Sequence, residues 1–67
     1  MEENYTHFCI FEHEDNEYSI YEYPNSGIPI LITHSEERFQ MQLDLLGIKI
    51  KDTIKHDIQG YSVFLLS

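Results

Sequence analysis

Two runs rich in aromatic and β-branched residues, 4–12 and 17–23, flank the polar tetrapeptide His13-Glu14-Asp15-Asn16. Such runs joined by a short polar break read as the two strands of a β-hairpin. Side chains alternate across a strand, so Phe8 and Ile10 fall on one face of the first run, and Tyr5, His7, Cys9 and Phe11 on the other. On the second run Tyr18 and Ile20 share a face, while Ser19, Tyr21 and Tyr23 share the opposite one. Large side chains therefore stand on both faces of the hairpin. A single helical layer covers only one face, which makes the tyrosine-bearing face a candidate contact surface.

The remainder of the chain supplies that layer and more strands. Pro24-Asn25-Ser26-Gly27 has the composition of a loop. Residues 28–32 read as a third strand, confined by Pro29 to an edge or to the strand's first residues. Thr33 followed three residues later by Glu36 has the form of a capping box, and Gly47 stands where a left-handed helix terminus is wanted, so a helix is predicted to about Leu46. Residues 39–45 also alternate strictly, as a strand would. The helix is favoured because they are straight-chain or aromatic, without a β-branched member, between two stop signals. Phe39, Leu43 and Leu46 then form the core stripe, with Met41 and Leu45 almost opposite, where they would meet either another chain or the C-terminal segment. Residues 48–51 suit a short strand with an exposed lysine face. Residues 61–66 are apolar enough for a central strand buried on both sides. The expected architecture is a single α+β domain over residues 1–67. It is one antiparallel-rich sheet layer of hairpin, third strand, one helix and one or two C-terminal strands, in the order βββαβ(β).

With 67 residues, such a domain buries only about 60% of its unfolded surface. Its core is therefore small, and oligomerisation or a bound partner would help it. The formal net charge is −8, and it is unevenly distributed. Residues 1–34 contain seven acids and no Lys or Arg; residues 35–67 contain five acids and all four bases. This charge argues against direct binding to nucleic-acid phosphates or to an anionic membrane leaflet, and towards a basic partner. Met1-Glu2-Glu3-Asn4 lacks the basic and apolar regions of a secretory signal, and the single cysteine, Cys9, suits a reducing compartment. The cytoplasm is the expected location.

Catalytic and metal chemistry find little purchase in this sequence. His7 and Cys9 stand two apart on one strand face, yet no C-x-x-C or H-x-x-x-H companion accompanies them, so packing is favoured over metal binding. His13 in the acidic turn and His34 in the first helical turn are read as solvated. Glu12, Glu14, Asp15 and Glu17 crowd the hairpin turn without the spacing of a calcium loop. They read as solvated edge charge or, more sharply, as a mimic of phosphate spacing. The five serines lack a G-x-S-x-G context, and the glycines are isolated. No enzymatic activity and no cofactor are expected.

Tyr5-x-x-Phe8-x-x-Phe11-Glu12, the acidic turn, Tyr18-Ser19-Ile20-Tyr21, a Pro and Gly loop, a strand, a Ser-Glu-Glu helix and an apolar final strand follow one another in the chain. This order resembles the N-terminal domain of HicB-like antitoxins over residues 5–47, with an echo at 60–66. The resemblance implies a partial RNase H-like layer without catalytic residues. It also implies a role in neutralising a small, basic, RNA-cleaving partner.

The function expected from these readings is a small acidic interaction module. It would inhibit a basic nuclease or other nucleic-acid-binding protein, as an antitoxin or as a phage-encoded inhibitor such as an anti-CRISPR. Its expected contact residues are Glu12, Glu14, Asp15, Glu17, Tyr21, Glu22 and Tyr23, with Met41 and Leu45 as candidate dimer contacts. The competing readings are a small metal- or ligand-binding protein and a purely structural homodimer.

Overall fold

The computed structural model describes residues 4–24, 27–55 and 60–67, and only the backbone of Lys55. Asn25 and Ser26 of the loop between the hairpin and the third strand lie outside the described residues. The strands are β1 (His7–Glu12), β2 (Glu17–Glu22), β3 (Leu31–Thr33), β4 (Ile50–Lys55) and β5 (Tyr61–Leu66), with one helix, α1 (Glu36–Leu46), between β3 and β4. All pairings are antiparallel, in a single open sheet of order β3-β2-β1-β5-β4. The chain thus has the small α+β architecture expected from its sequence, in the order βββαββ.

The β1–β2 hairpin forms around residues 13–16, and Cys9 pairs with Ile20 and Phe11 with Tyr18 in register. Asn16 turns the chain with a φ of 52°, a left-handed conformation that Asn tolerates better than most residues. Its side-chain amide donates to the His34 carbonyl at 3.0 Å, tying the turn to the segment before the helix.

Alternation assigns the side chains of β1 to opposite faces, and α1 covers the one carrying Cys9 and Phe11. Cys9, Tyr18, Ile20, Leu66, Phe39, Leu43 and Ile48 form the buried core, with Phe11, Leu31 and Phe64 packed at its margin. The Phe39 ring stacks on Tyr18 at 4.4 Å, and Tyr18 stacks on Phe11 at 4.3 Å, a pile of three rings joining helix to sheet. Burial pushes the Cys9 thiol up to about 12, against a smaller opposing effect of a hydrogen bond from the Ser19 backbone.

Several boundaries differ from expectation, each for an identifiable reason. The N-cap of α1 is Ser35, whose hydroxyl accepts from the Arg38 N–H at 3.3 Å. Thr33 is unavailable as cap because it pairs with Tyr18 inside β3. For the same reason His34 precedes the helix and does not lie in its first turn. The third strand is Leu31–Thr33, later than residues 28–32. Pro29 has no N–H to donate, and pairing starts with the Ile30 N–H to the Ile20 carbonyl at 2.7 Å.

Gly47, with φ 71°, ends α1 as expected: its N–H bonds to the Asp44 carbonyl, and the Ile48 N–H bonds to that of Leu43 at 3.0 Å. This reversal folds Ile48 back onto Leu43, the apolar contact that accompanies this type of terminus. Ile48 therefore occupies the core place expected for Leu46, which is 39% exposed. The strand expected at 48–51 begins instead at Ile50 and runs to Lys55. The last strand is interior, between β1 and β4, but is not buried on both sides. Ser62 and Leu66 are buried, whereas Tyr61 is 38% exposed.

Candidate protein-interaction surface

The face of the sheet opposite α1 has no second layer over it among the described residues. Register arranges its side chains in three rows running across the strands. The middle row is Ile32, Ser19, Ile10, Val63 and Ile54, one residue from each of the five strands in spatial order. The row nearer the β1–β2 turn is Glu17, Glu12 and Tyr61. The row at the far end is Tyr21, Phe8, Leu65 and Asp52. Phe8, Ile10, Tyr21, Val63 and Leu65 are half-buried, while Ile32 and Ile54 are 50% and 42% exposed. A sheet face of this composition is apolar at its centre, acidic at one end and aromatic at the other.

The acidic end is organised by hydrogen bonds. The Tyr61 hydroxyl donates to Glu12 Oε2 at 2.9 Å. That bond is the main reason the phenol titrates above its usual range, with the charges of Glu12, Asp15 and Glu17 adding to it. Glu17 Oε2 lies 3.3 Å from Nε2 of the exposed His34. Among the described residues no Lys or Arg pairs with Glu12, Glu14, Asp15 or Glu17. At the aromatic end Phe8 stacks on Tyr21 at 4.9 Å, and Tyr23 meets the edges of both Phe8 and Tyr5 at 6.3 Å. The Tyr5 hydroxyl donates to Asp52 Oδ2 and thereby bridges to β4.

The residues singled out in the sequence are therefore only partly brought together. Glu12 and Glu17 are neighbours on the open face, with Asp15 within electrostatic reach of the same phenol. Glu14 is exposed in the turn. Tyr21 and Tyr23 share the open face but lie at its other end; Tyr21 is four positions beyond Glu17, about 13 Å along an extended strand. Glu22 pairs with His7, so alternation directs it to the helix side, away from the tyrosines. Met41 and Leu45 are 52% and 75% exposed on the outside of α1, on the opposite side of the molecule from the open face. The C-terminal segment does not cover them.

Sequence reading missed Ile32, Ile54, Tyr61, Val63 and Leu65 as parts of this surface. The signal was present for β5, where Tyr61, Val63 and Leu65 alternate with Ser62, Phe64 and Leu66. The general apolarity of that run concealed it.

Other groups have structural partners. His13 Nε2 shares a 2.8 Å hydrogen bond with Ser62 Oγ and its ring packs against Phe11, so this histidine is anchored in addition to being exposed. Cys9 is fully buried, and His7 bonds to the Thr6 hydroxyl at 2.8 Å. Among the described residues no group of three or more His, Cys, Asp or Glu is placed to hold a metal ion. A shallow depression before α1 is lined by Asn16, His34, Ser35, Glu36, Glu37 and Gln40; its two glutamates make it unsuited to an anion despite the helix N-terminus. No helix among the described residues is long and apolar enough to cross a membrane. Comparison with protein-family models, curated proteins and solved structures gives no match for this chain.

Proposed function

We propose that this chain is a small acidic interaction module that inhibits a basic nucleic-acid-handling protein by covering its active surface. A toxin ribonuclease, or a host enzyme targeted by a phage-encoded inhibitor, has the required chemistry, and the cytoplasm is the proposed setting. One observation carries this reading. Glu12, Glu14, Asp15 and Glu17 gather at one end of an uncovered apolar sheet face without a Lys or Arg among the described residues to neutralise them. Carboxylates that no Lys or Arg among the described residues neutralises, next to a desolvatable apolar face, supply both halves of a protein interface. The charges accelerate encounter with a basic surface, and the apolar face holds what arrives. Resemblance to HicB-like antitoxins points the same way.

The test is capture from lysate on the immobilised chain at low and high salt, followed by assay of the captured basic protein's nuclease or nucleic-acid-binding activity with and without added chain. Inhibition and loss of capture at high salt are expected. The triple variant Glu12→Lys, Glu14→Lys, Glu17→Lys should slow association and flatten its salt dependence while leaving the fold intact. Unchanged affinity and salt slope in that variant would remove the acidic turn as the recognition surface.

A further inference from the structure

The open face has a symmetry that suggests its occupant. Its middle row is aliphatic along nearly its whole length; of the two rows beside it, one carries Glu17 and Glu12 with Tyr61 and the other Tyr21, Phe8 and Leu65 with Asp52, so that Glu17 and Tyr21 stand at matching places on either side. We infer that a second copy of this chain covers this face, the two sheets stacking about a twofold axis parallel to the Ile32–Ser19–Ile10–Val63–Ile54 row. Such an axis lays the aliphatic row on itself. It also places the Glu17, Glu12 and Tyr61 row of each copy over the Tyr21, Phe8 and Leu65 row of the other, as an isologous interface requires. Glu17 then faces the tyrosine hydroxyl at the far end of the second copy's hairpin, a donor for an acceptor. The clusters of turn acids are carried to opposite ends of the pair, which limits the repulsion between two chains of net charge −8.

Edge pairing is the alternative route to a dimer, and both edges are blunted against it. The edge strand β3 has only three residues, and β4 is broken by a bulge between Ile50 and Asp52, follows Lys49 and contains Lys51 and Lys55. The area agrees with a reversible association. Four strands about 20 Å long and the three-residue β3, about 4.8 Å apart, present roughly 430 Å² per copy in projection, which suits a weak, reversible association. Resting on the function proposed above, the second copy and the basic partner take turns on this face, so that a bound basic target displaces the second copy.

Sedimentation velocity over about a hundredfold range of concentration tests the pairing directly. A monomer–dimer equilibrium is expected, and it should tighten with added salt, because screening relieves repulsion between acidic copies; binding to a basic partner has the opposite sign. Ile54→Lys and Ile32→Lys, both on exposed ends of the aliphatic row, should each weaken dimerisation about tenfold or more. Leu45→Lys on the outside of the helix should leave it unchanged. Circular dichroism shows that each variant is folded. Orientation is read by mild oxidation: a Glu17→Cys, Tyr21→Cys double variant should cross-link between copies, and Glu17→Cys alone should not. Cys9, buried in the core, stays out of the reaction.

A chain monomeric throughout that range overturns the proposal, as does a dimer sensitive to Leu45→Lys but not to the row variants. Ready cross-linking by Glu17→Cys alone overturns the orientation. A monomer that still inhibits a basic protein would refute the dimer and spare the proposed function; a dimer without a basic target would do the reverse.

Discussion

On the helix side of the sheet Cys9, Ile20 and Leu66 are wholly withdrawn from water, and Phe39 is 2% exposed. On the other side Phe8, Ile10, Tyr21, Val63 and Leu65 are only half-buried, although their side chains are as large. The two faces differ little in hydrophobicity. What differs is that the described residues form one helix, whose eleven residues cover one face. A small chain that builds both sheet faces from apolar residues, with one covering layer among its described residues, leaves the second face open to another molecule.

The comparison breaks first at Phe39. Truncation to alanine there removes the ring that joins α1 to Tyr18 and should cost about 3–5 kcal/mol. For a chain of this size that is most of the stability, and urea denaturation followed by circular dichroism should find Phe39→Ala largely unfolded. Alkaline titration probes the same buried face. The thiol of Cys9 is neutral when protonated and titrates at about 12 in the fold against an ordinary 9.0. The stability it contributes is therefore complete below pH 9 and is lost as the pH rises towards 12. The phenol of Tyr18, raised chiefly by burial and further by Glu36, acts in the same direction. Thermal unfolding measured from pH 8 to alkaline pH should show that decline, and thiol reagents at neutral pH should modify Cys9 only as fast as the protein opens.

A matched pair of deletions sharpens the contrast between faces. Ile20→Ala should cost about 2–5 kcal/mol and Ile10→Ala roughly half as much in dilute monomer, since Ile10 already meets water. Costs that become equal only as protein concentration rises would mean that the open face is covered by a second copy. Gly47→Ala, forced into a left-handed conformation, should cost about 1 kcal/mol by the same denaturation assay. Leu45→Lys should change stability by no more than about 0.5 kcal/mol, marking the outer helix surface as energetically idle.

Local chemistry made part of this readable from residue order. The turn at 13–16, the hairpin alternation that separates Phe8 and Ile10 from Cys9 and Phe11, and the glycine terminus of α1 depend on neighbours within a few positions. The errors arose where a distant segment competed for the same group. Thr33 could have capped the helix, but Tyr18 had already paired with it. Leu46 had the periodicity of a core residue, but Ile48, folded back by Gly47, reached the space first. The candidate contact set suffered similarly. Its acids and tyrosines are close in sequence, but an extended strand carries Glu17 and Tyr21 to opposite ends of the face, and alternation turns Glu22 away from both.

By itself, then, the sequence determined the elements and their order, the two-faced character of the hairpin and the concentration of acid at its turn, because periodicity, turn chemistry and charge are properties of short segments. Tertiary structure alone decided that α1 covers the Cys9 side and that β5 enters between β1 and β4. It also decided that Ile54 and Val63 line up with Ile10, Ser19 and Ile32 in one row. Those outcomes depend on strand order and register, which are fixed by contacts between residues as far apart as His7 and Leu66 and leave no local trace.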